Sequence, residues 1–333
     1  MWVGAFLMLA SGGALVGGEL LMSNLTSSVE TDNLLGKARK SNSGRAVPEG
    51  PLNMLLVGSD FRKGVKETMW RADTVIVVHV PASRDRAYLI SFPRDTLVKI
   101  PAHEPSGYQG GEDKINAAFG FGGRRQNSFD VASGFELLAL TIHENFGIPL
   151  DTGAVINFYG FVNIVQELGG VEICIETPPG TDRFKSRHSE RVFVKGCRMY
   201  DGHAALDYAR QRYQFPDGDY ARMRHQQHVI KQILKQAIAK GFDDPTKIPG
   251  LIKAAGNSLL LDSSIPIPDL ALALRKIRPE NLTALKVPTV SEKIDGTWYE
   301  LLEEDKASAL WKAIEEDNVD SWVLQNPDFV NPM

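Results

Sequence analysis

The chain has few cysteines and no surplus of basic residues, and each shortage argues against a class of protein. Cys174 and Cys197 are the only cysteines in 333 residues, which is too few for a disulfide-stapled miniprotein or a four-thiolate zinc site. Lys and Arg total 37 against 41 Asp and Glu, a formal net charge of −4. The sequence therefore lacks the basic surplus that non-specific nucleic-acid binding requires, and any anion site must be local.

Two catalytic signatures are also missing from the sequence. Neither a Gly-x-Ser-x-Gly elbow nor a phosphate-loop motif occurs, which argues against a serine-type hydrolase and a P-loop nucleotide site. The composition is 43% hydrophobic and 8% aromatic, which is enough to build a core. The length suits one large α/β domain or two ordinary domains.

The amino terminus is a long apolar run. Residues 2–22 contain Glu19 as their single charge, and about 17 to 25 such residues suffice to cross a bilayer. We expect residues 1–22 to form one transmembrane anchor; a secretory signal and a buried core helix are the alternatives. Basic residues between Lys37 and Arg45 follow the run rather than precede it, against the positive-inside rule. A misassigned translation start, hiding a basic stretch upstream, would remove this conflict.

Beyond the apolar run, residues 23–50 are polar and lack an apolar period, which predicts a linker. Strand and helix patterns follow. The predicted strands are residues 53–57, 74–80, 87–92, 152–158, 171–176 and 282–287. The predicted helices are residues 134–146, 161–168, 202–209, 219–240, 270–277 and 305–315. We expect residues 74–80 and 87–92 to pair as an antiparallel hairpin, and residues 152–176 to form a β-α-β unit.

Two aspartates stand at predicted strand ends. Asp60 closes the first strand and Asp73 precedes the next one, so a turning loop could bring both carboxylates to one edge of a sheet. Paired hard oxygens suit Mg²⁺. Aspartates at strand ends are also common turn formers, which is the alternative interpretation.

Arginines gather at the ends of predicted elements or on one helical segment. Asp219 is well placed to cap that helix, and Gln226 follows Arg222 by one helical turn. Arginine is the side chain best suited to bind phosphate, because its planar fork donates two parallel hydrogen bonds. A solvated helix face with internal ion pairs is the alternative. Together with the aspartates, the arginines predict a magnesium-pyrophosphate site; they are Arg71, Arg94, Arg210, Arg212, Arg222 and Arg224.

Several short motifs occur in a fixed order between residues 51 and 240. In this order they resemble the LytR-CpsA-Psr family of cell-wall enzymes, and together they are far more specific than any one alone. Gly122 and Gly123 also match the family. The motifs are residues 55–60 (LLVGSD), 71–74 (RADT), 91–96 (SFPRDT), 114–119 (KINAAF), 208–213 (YARQRY), 219–222 (DYAR) and 226–227 (QQ).

The resemblance implies a fold and a function. The expected fold is an αβα sandwich around a mixed central β-sheet, with residues 51–240 as catalytic core and residues 241–333 completing the same domain with helices and a strand. An apolar pocket would hold a polyprenyl chain. The implied activity is that of a membrane-anchored, Mg²⁺-dependent phosphotransferase outside the cytoplasmic membrane. It would move a glycopolymer from a polyprenyl-pyrophosphate carrier onto peptidoglycan through a phosphodiester bond.

The resemblance also assigns roles to individual residues. Asp60 and Asp73 would bind the metal, and Asp73 and Arg94 would be catalytic. Asp95 and Asp219 would support the site, with Asp73 or Asp95 as the possible general base. The residues expected to bind the pyrophosphate are Arg71, Arg94, Lys114, Arg210, Arg212, Arg222 and Gln226.

The chain departs from the family pattern at one position. His225 stands where the family usually has Arg before the paired glutamines, so the pyrophosphate site would lose one charge. Arg224 could substitute, although neighbouring helical positions point about 100° apart. The polar residues 181–195 match no family motif and leave substrate recognition there open.

Two expectations concern the export of the protein and its activity. In an exported protein Cys174 and Cys197 would pair as a disulfide; two free buried thiols are the alternative. A polyprenyl-pyrophosphate binding or regulatory module without turnover is an alternative function, and a pyrophosphatase that uses water as acceptor is another.

Overall fold

In a computed structural model, the chain is described over residues 30–39, 47–61, 70–241, 253 and 259–332. The expected anchor at residues 1–22 lies outside these ranges. Within them, no helix combines the length and the apolarity that crossing a bilayer requires.

The centre of the fold is a mixed sheet, which within the described ranges has eight strands. Their spatial order is Glu30–Asp32 (β1), Leu259–Asp262 (β12), Thr152–Asn157 (β7), Leu52–Ser59 (β2), Ala72–Val80 (β3), Ala87–Phe92 (β4), Leu282–Lys286 (β13) and Val330–Asn331 (β16). β2 runs parallel to β7, and β4 runs parallel to β13. β3 is antiparallel to both β2 and β4, which confirms the predicted hairpin.

The remaining described strands form two-stranded pairs. These are Leu97–Ile100 (β5) with Gly111–Lys114 (β6), Val171–Ile175 (β8) with Gly196–Tyr200 (β11), Arg183–Lys185 (β9) with Val192–Val194 (β10), and Thr289–Ile294 (β14) with Thr297–Leu302 (β15). Short 3₁₀ turns lie at Gly36–Ala38, Glu104–Ser106, Pro279–Asn281 and Pro327–Phe329.

The described α-helices are numbered α1 to α8. They are Ile115–Gly123 (α1), Val131–Phe146 (α2), Phe158–Glu167 (α3), Gly202–Ala209 (α4), Asp219–Ala239 (α5), Ile267–Leu274 (α6), Glu304–Glu315 (α7) and Val319–Gln325 (α8). α2 ends at Gly147, whose φ of 66° is the left-handed conformation that glycine adopts without strain.

Both faces of the central sheet are buried. Successive side chains of a strand point to opposite faces, and here the side chains on both faces are mainly apolar. On β2, Leu55 and Val57 belong to a large core that also contains residues of α1, α2, α7 and α8. Leu52 and Met54 face the other way, into a core against which residues of α5 and α6 pack. β3 and β4 alternate in the same manner. The result is a mixed sheet between two helical layers, as expected for an αβα sandwich.

A third core lies beside the sheet and is built from β8 to β10 and α3 to α5. The predicted β-α-β unit is wrong in its pairing, although its elements exist. β7 belongs to the central sheet, whereas β8 pairs antiparallel with β11 in a separate sheet. β8 alternates buried and exposed residues, a pattern typical of an antiparallel strand with one solvated face.

Residues 30–39 of the predicted linker belong to the folded body. β1 pairs in parallel with β12, and Leu34 and Leu35 are fully buried in the large core. The prediction of a linker is therefore wrong for residues 30–39, because one pair of leucines is too short a signal to form a period. In the carboxyl-terminal segment, β12, β13 and β16 belong to the central sheet.

Cys174 on β8 and Cys197 on β11 face each other in the ladder and form a disulfide with a sequence separation of 23. We expect its removal by the double substitution of Cys174→Ala and Cys197→Ala to lower the free energy of unfolding by about 3 kcal/mol, because the unfolded chain loses a constraint. Urea denaturation measures this loss, with the reduced wild-type protein as the matched control. Two reactive thiols in the denatured, unreduced protein would contradict the pairing.

Candidate functional site

The candidate site lies at one edge of the central sheet. β2, β4, β7 and β13 all end at this edge, and the antiparallel β3 begins there. Asp60 follows β2, Asp73 is the second residue of β3, and Arg94 and Asp95 follow β4. The topology therefore brings to one edge residues that are up to 35 positions apart in the sequence.

A β-bulge positions Asp73. Gly58 pairs with Thr74 and Ser59 pairs with Ala72, so Asp73 is the extra residue on β3. A bulge re-aims the side chain of the inserted residue. Gly58 allows β2 and β3 to lie close together at the bulge, because a Cβ atom on Gly58 would lie 2.9 Å from the Cβ of Thr74. The Asp73 side chain remains 32% exposed at the edge of the sheet.

Arg94 is held by main-chain contacts and by carboxylates. Its carbonyl oxygen accepts a hydrogen bond from the Asn116 amide at 3.2 Å, which joins the loop after β4 to the start of α1. One guanidinium nitrogen donates to Asp73 at 2.9 Å. Asp95 lies 3.8 Å from Nε of Arg94 but 2.9 Å from Nζ of Lys114, so Asp95 binds the lysine more closely than the arginine.

Asp219 connects three of the arginines. Its carboxylate accepts hydrogen bonds from Arg212 at 3.2 Å and from Arg222 at 2.9 Å, and one oxygen lies 3.5 Å from Nε of Arg94. The prediction that Asp219 caps the helix is wrong. Gly218 is the N-cap of α5, and Asp219 is the first helical residue, because its carboxylate binds guanidinium groups instead of main-chain amides.

Arg222 is the most deeply buried cation of the cluster, with a side chain only 7% exposed. It donates to the main-chain oxygen of Asp73 at 3.0 Å and to Asp219. Burial lowers the pKa of Arg222, opposed by Asp219 and Asp73 and reinforced by Arg94 and Arg212. Burial also acts to lower the pKa of Arg94, but Asp219, Asp73 and Asp95 outweigh it and raise that pKa.

Two buried hydrogen-bond donors of the cluster have no acceptor in the part of the chain that the structure describes. Among the described residues, Nε of Arg94 and Nε of Arg222 have no hydrogen-bond partner although both atoms are buried. Buried polar atoms are normally satisfied, and exceptions often mark the place of a ligand. An anion with several oxygens, such as a pyrophosphate, would supply the missing acceptors.

The structure brings together part of the predicted pyrophosphate set. Arg94, Lys114, Arg212 and Arg222 contact the carboxylates of Asp73, Asp95 and Asp219; we call these seven residues the arginine–aspartate cluster. Within the described part of the chain, no hydrogen bond or ion pair joins three other predicted residues to the cluster. Arg71 is exposed, Arg210 stacks its guanidinium 4.5 Å from the Phe158 ring centroid, and Gln226 is half-buried.

Sequence reasoning missed the role of Gln227. Its side chain is fully buried, and its amide nitrogen lies 2.7–3.0 Å from three acceptors, the carbonyl oxygens of Leu89 and Leu285 and Oγ of Ser91. Its amide oxygen accepts from Asn331 at 2.7 Å. Gln227 thus fastens α5 to β4, β13 and β16. The paired glutamines were a visible signal, but only the fold shows which one faces the sheet.

A contact with the carboxyl-terminal hairpin was also missed. The Tyr220 hydroxyl donates to Glu300 at 2.5 Å, and the ammonium of Lys286 lies 5.3 Å from the Tyr220 ring centroid. This contact ties the start of α5 to the β14–β15 hairpin, beside the loop that carries Arg94 and Asp95. Glu300 lies in no motif, so no sequence signal points to it.

His225 does not replace the arginine that the family has at this position. The residue is 1% exposed, its Nδ1 atom lies 3.2 Å from the Gln211 carbonyl oxygen, and its ring packs 4.4 Å from Tyr208 and 4.8 Å from Phe215. Burial, with the charge of Arg224 adding to it, lowers the pKa of His225 to about 3. The imidazole is therefore neutral at physiological pH.

Arg224 does not substitute for the missing charge either. Its guanidinium forms ion pairs with Glu176 at 2.7 Å and with Asp217. Both partners lie outside the arginine–aspartate cluster. The expectation that Arg224 could replace the lost guanidinium is therefore not met.

The donor set at the sheet edge suits a hard cation only in part. Across the described residues there is no group of three or more His, Cys, Asp or Glu side chains that could hold a metal ion. Mg²⁺ in phosphate-binding sites is usually held by one or two carboxylates together with phosphate oxygens and water. Asp60 follows β2 and Asp73 lies at the start of the neighbouring β3, so two carboxylates are present at this edge of the sheet.

The fold and the site together place four cations and three carboxylates in contact at the edge of a mixed α/β sheet. A profile of the LytR_cpsA_psr family matches residues 20–316, which is most of the chain. The chain therefore belongs to the LytR-CpsA-Psr family.

Named relatives agree with this assignment. The chain is 28% identical over 255 residues to polyisoprenyl-teichoic acid--peptidoglycan teichoic acid transferase TagU of Oceanobacillus iheyensis, covering 77% of this chain and 72% of that protein. It is 28% identical over 302 residues to cell wall biosynthesis protein LcpA of Corynebacterium glutamicum, covering 81% of this chain. The chain spans only 55% of LcpA.

Solved structures share the fold. Protein gbs0355 of Streptococcus agalactiae superposes with a TM-score of 0.67 at 25% identity, covering 81% of this chain and 88% of that one. TagV of B. subtilis gives a TM-score of 0.62 at 21% identity, covering 82% and 99%. The mixed α/β architecture is therefore that of the family.

The buried His225 predicts a pH dependence of stability. Because its folded pKa of about 3 lies below its unfolded value, the unfolded chain binds a proton that the folded chain does not as pH falls below 6.5. The contribution of His225 to the free energy of unfolding is therefore fully present above pH 6.5 and is lost as the pH falls below that value. Substituting His225→Phe should remove about 2 kcal/mol of the loss between pH 7.5 and pH 5.

Urea unfolding at several pH values measures how steeply the free energy of unfolding changes with pH. This slope can be compared between variants even if their stabilities at pH 7.5 differ. The matched control is His203→Phe, at an exposed histidine of α4, which should keep the wild-type slope. Equal slopes for the wild type and His225→Phe would show that His225 is not the titrating group.

Proposed function

We propose that this protein is a membrane-anchored phosphotransferase that moves a glycopolymer from a polyprenyl-pyrophosphate carrier onto peptidoglycan through a phosphodiester bond. The observation that carries the proposal is the arginine–aspartate cluster, with its two buried guanidinium Nε atoms that lack hydrogen-bond partners among the described residues. The name of TagU, a teichoic acid transferase to peptidoglycan, supports the same activity.

The charges of the cluster suit a pyrophosphate. Four cations, Arg94, Lys114, Arg212 and Arg222, meet the three carboxylates of Asp73, Asp95 and Asp219. The carboxylates hold the guanidinium groups in place before substrate arrives, so little reorganisation is needed when phosphate oxygens bind. Solvent reaches the site, since the side chains of Arg94 and Asp73 are 20% and 32% exposed.

The reaction forms one P–O bond and breaks another. An acceptor hydroxyl attacks the phosphorus that carries the glycan, and polyprenyl phosphate leaves with the bridging oxygen. Arg94 and Arg222 would stabilise the charge that develops on the phosphate oxygens. The hydroxyl proton passes to a carboxylate beside Arg94, either Asp73 or Asp95.

We propose that the polyprenyl chain binds on the face of the sheet that packs against α5 and α6. Leu56 lies on β2, four residues before Asp60 in the sequence, and packs against this core. Other side chains that pack against the same core are only half-buried: Ile230, Leu234, Leu270 and Leu274. A prenyl chain between the sheet and these helices would cover this remaining apolar surface.

We propose Mg²⁺ as cofactor, held by Asp60 and Asp73 together with phosphate oxygens of the substrate. When bound, the ion supplies positive charge that neutralises the pyrophosphate and favours its cleavage. The protein's own contribution is the orientation of the phosphate groups by Arg94, Arg222 and Arg212.

We place the folded body of the protein outside the cytoplasmic membrane, anchored by residues 1–22. Support comes from the peptidoglycan acceptor in the name of TagU. The disulfide between Cys174 and Cys197 also supports this location, since disulfides persist in oxidising, extracytoplasmic compartments.

A non-catalytic polyprenyl-pyrophosphate binding module is the second candidate function. The observation that favours it is the neutral, buried His225 at the position of a family arginine. The full-length protein in detergent, incubated with a lipid-pyrophosphate glycan, Mg²⁺ and peptidoglycan, separates the candidates. Polymer linked to peptidoglycan supports transfer, released monophosphates support a pyrophosphatase, and recovery of intact lipid alone supports binding.

In that assay, Arg94→Ala should reduce the rate of transfer by about 100-fold or more, because a positioned donor to the reacting phosphate is lost. Circular dichroism should show that the variant remains folded. The matched control is Arg198→Ala, at an exposed arginine of β11, which should keep the wild-type rate. An unchanged rate for Arg94→Ala would refute the assignment of the site.

Removal of the metal with a chelator should abolish transfer, and added Mg²⁺ should restore it. Asp60→Asn should raise the Mg²⁺ concentration needed for half-maximal rate by about tenfold, because one anionic oxygen ligand is lost. Asp182→Asn, at an exposed aspartate, is the matched control and should not change it. Full activity in excess chelator would rule out the metal requirement.

A further inference from the structure

A polar cleft opens beside the arginine–aspartate cluster. It has a volume of about 700 Å³ and lies between the tip of the β9–β10 hairpin and the connection from α4 to α5. Lys185 and Arg187 line it from the hairpin, and Tyr213 and Gln214 line it from the connection. Because Tyr213 directly follows Arg212, the cleft adjoins the proposed pyrophosphate site.

Tyr213 is an exposed aromatic ring held in a defined position. Its hydroxyl accepts a hydrogen bond from the Arg212 guanidinium at 2.6 Å, and the Arg212 and Arg187 guanidinium carbons lie 4.6 Å and 5.9 Å from the ring centroid. The residue nevertheless stays 62% exposed. A large apolar surface fixed at the rim of a polar cleft is suited to contact with the apolar face of a sugar ring.

Gln214 provides a hydrogen-bond acceptor in the same cleft. Its Nε2 donates to the Lys185 carbonyl oxygen at 2.7 Å and to Oε1 of Gln211 at 2.9 Å, which fixes the orientation of the amide. Its Oε1 is buried and, among the residues that the structure describes, has no hydrogen-bond partner. A ligand rich in hydroxyl groups would donate the missing hydrogen bond.

The hairpin wall of the cleft is rigid despite its polar sequence. The buried carboxylate of Asp207 accepts hydrogen bonds from Ser186 at 2.6 Å and from Ser189 at 2.5 Å. Gln211 donates to the same carboxylate at 2.7 Å. These bonds attach the hairpin tip to α4, so the wall is organised before a ligand binds, which reduces the entropic cost of binding.

We propose that this cleft is a saccharide-binding subsite, in which a pyranose ring packs against Tyr213 and a ring hydroxyl donates to Oε1 of Gln214. The inference rests on the proposed function, in which glycans are present on both substrates. The sugar belongs either to the lipid-linked donor or to the peptidoglycan acceptor. The recognition chemistry is the same for both sources, and the binding experiment distinguishes them.

The experiment measures binding of three probes to the full-length protein in detergent. The probes are a polyprenyl pyrophosphate without sugar, the same lipid carrying one N-acetylhexosamine, and a soluble peptidoglycan glycan fragment. Tyr213→Ala should weaken the binding of one sugar-containing probe roughly threefold to tenfold. The sugar-free lipid should bind unchanged. A loss confined to the sugar-bearing lipid assigns the subsite to the donor, and a loss confined to the glycan fragment assigns it to the acceptor.

Tyr213→Phe is the matched control, since it keeps the ring and loses only the hydroxyl that contacts Arg212. It should bind the saccharide probes like the wild type. Arg187→Ala should weaken the same probe as Tyr213→Ala, whereas Arg191→Ala, at an exposed arginine of the same hairpin that does not line the cleft, should not. This second pair tests the subsite without changing Tyr213.

Two results would overturn the subsite. The first is equal binding of both saccharide probes by the wild type and Tyr213→Ala. The second is weaker binding of the sugar-free lipid by Tyr213→Ala and Tyr213→Phe alike, which would show that Tyr213 acts through Arg212. If the wild type fails to bind the sugar-free lipid, the proposed function fails, whereas the glycan fragment still tests the cleft.

Discussion

The burial of Arg222 is the constraint on which the site depends. A guanidinium group that is only 7% exposed must be paired, because an uncompensated buried charge costs several kcal/mol. Asp219 and the main-chain oxygen of Asp73 provide the pairing. The first turn of α5 must therefore lie against the bulge at the start of β3. Gln227, one and a half turns further along, fastens the same helix to three strands of the sheet.

The cluster is organised by its own carboxylates before any substrate binds. Asp73, Asp95 and Asp219 each hold a cation that the proposed function needs for phosphate. Their attraction offsets the repulsion among the neighbouring positive groups, and it also explains why Arg94 keeps a raised pKa despite its burial. Substrate oxygens would then join an existing network and satisfy the two Nε atoms that have no acceptor among the described residues. His225 adds no charge to this network, because its ring is buried between Tyr208 and Phe215.

α5 also joins the separate parts of the molecule. One stretch of it packs on the central sheet, and other residues enter the third core, which contains the β9–β10 hairpin. The connection from α4 to α5 carries both Arg212 of the cluster and Tyr213 of the polar cleft. A site for pyrophosphate and a subsite for its sugar can therefore be held by one rigid segment, braced on one side by Asp207 and on the other by Asp219.

The sequence by itself determined the family and a part of the secondary-structure elements. Continuous β-branched and apolar runs define β3 and β4, which are buried on both faces of the sheet, and the ordered motifs identify the LytR-CpsA-Psr family. Only the tertiary structure decided which charges meet. Arg94 and Arg222 are 128 positions apart in the sequence, and no local pattern encodes their common contact with Asp219. Gln227 rather than Gln226 faces the sheet, and β8 pairs with β11 rather than β7. Leu34 and Leu35 pack in a core most of whose residues come from much later in the sequence. Each of these depends on contacts between distant segments, which form only when the chain is folded.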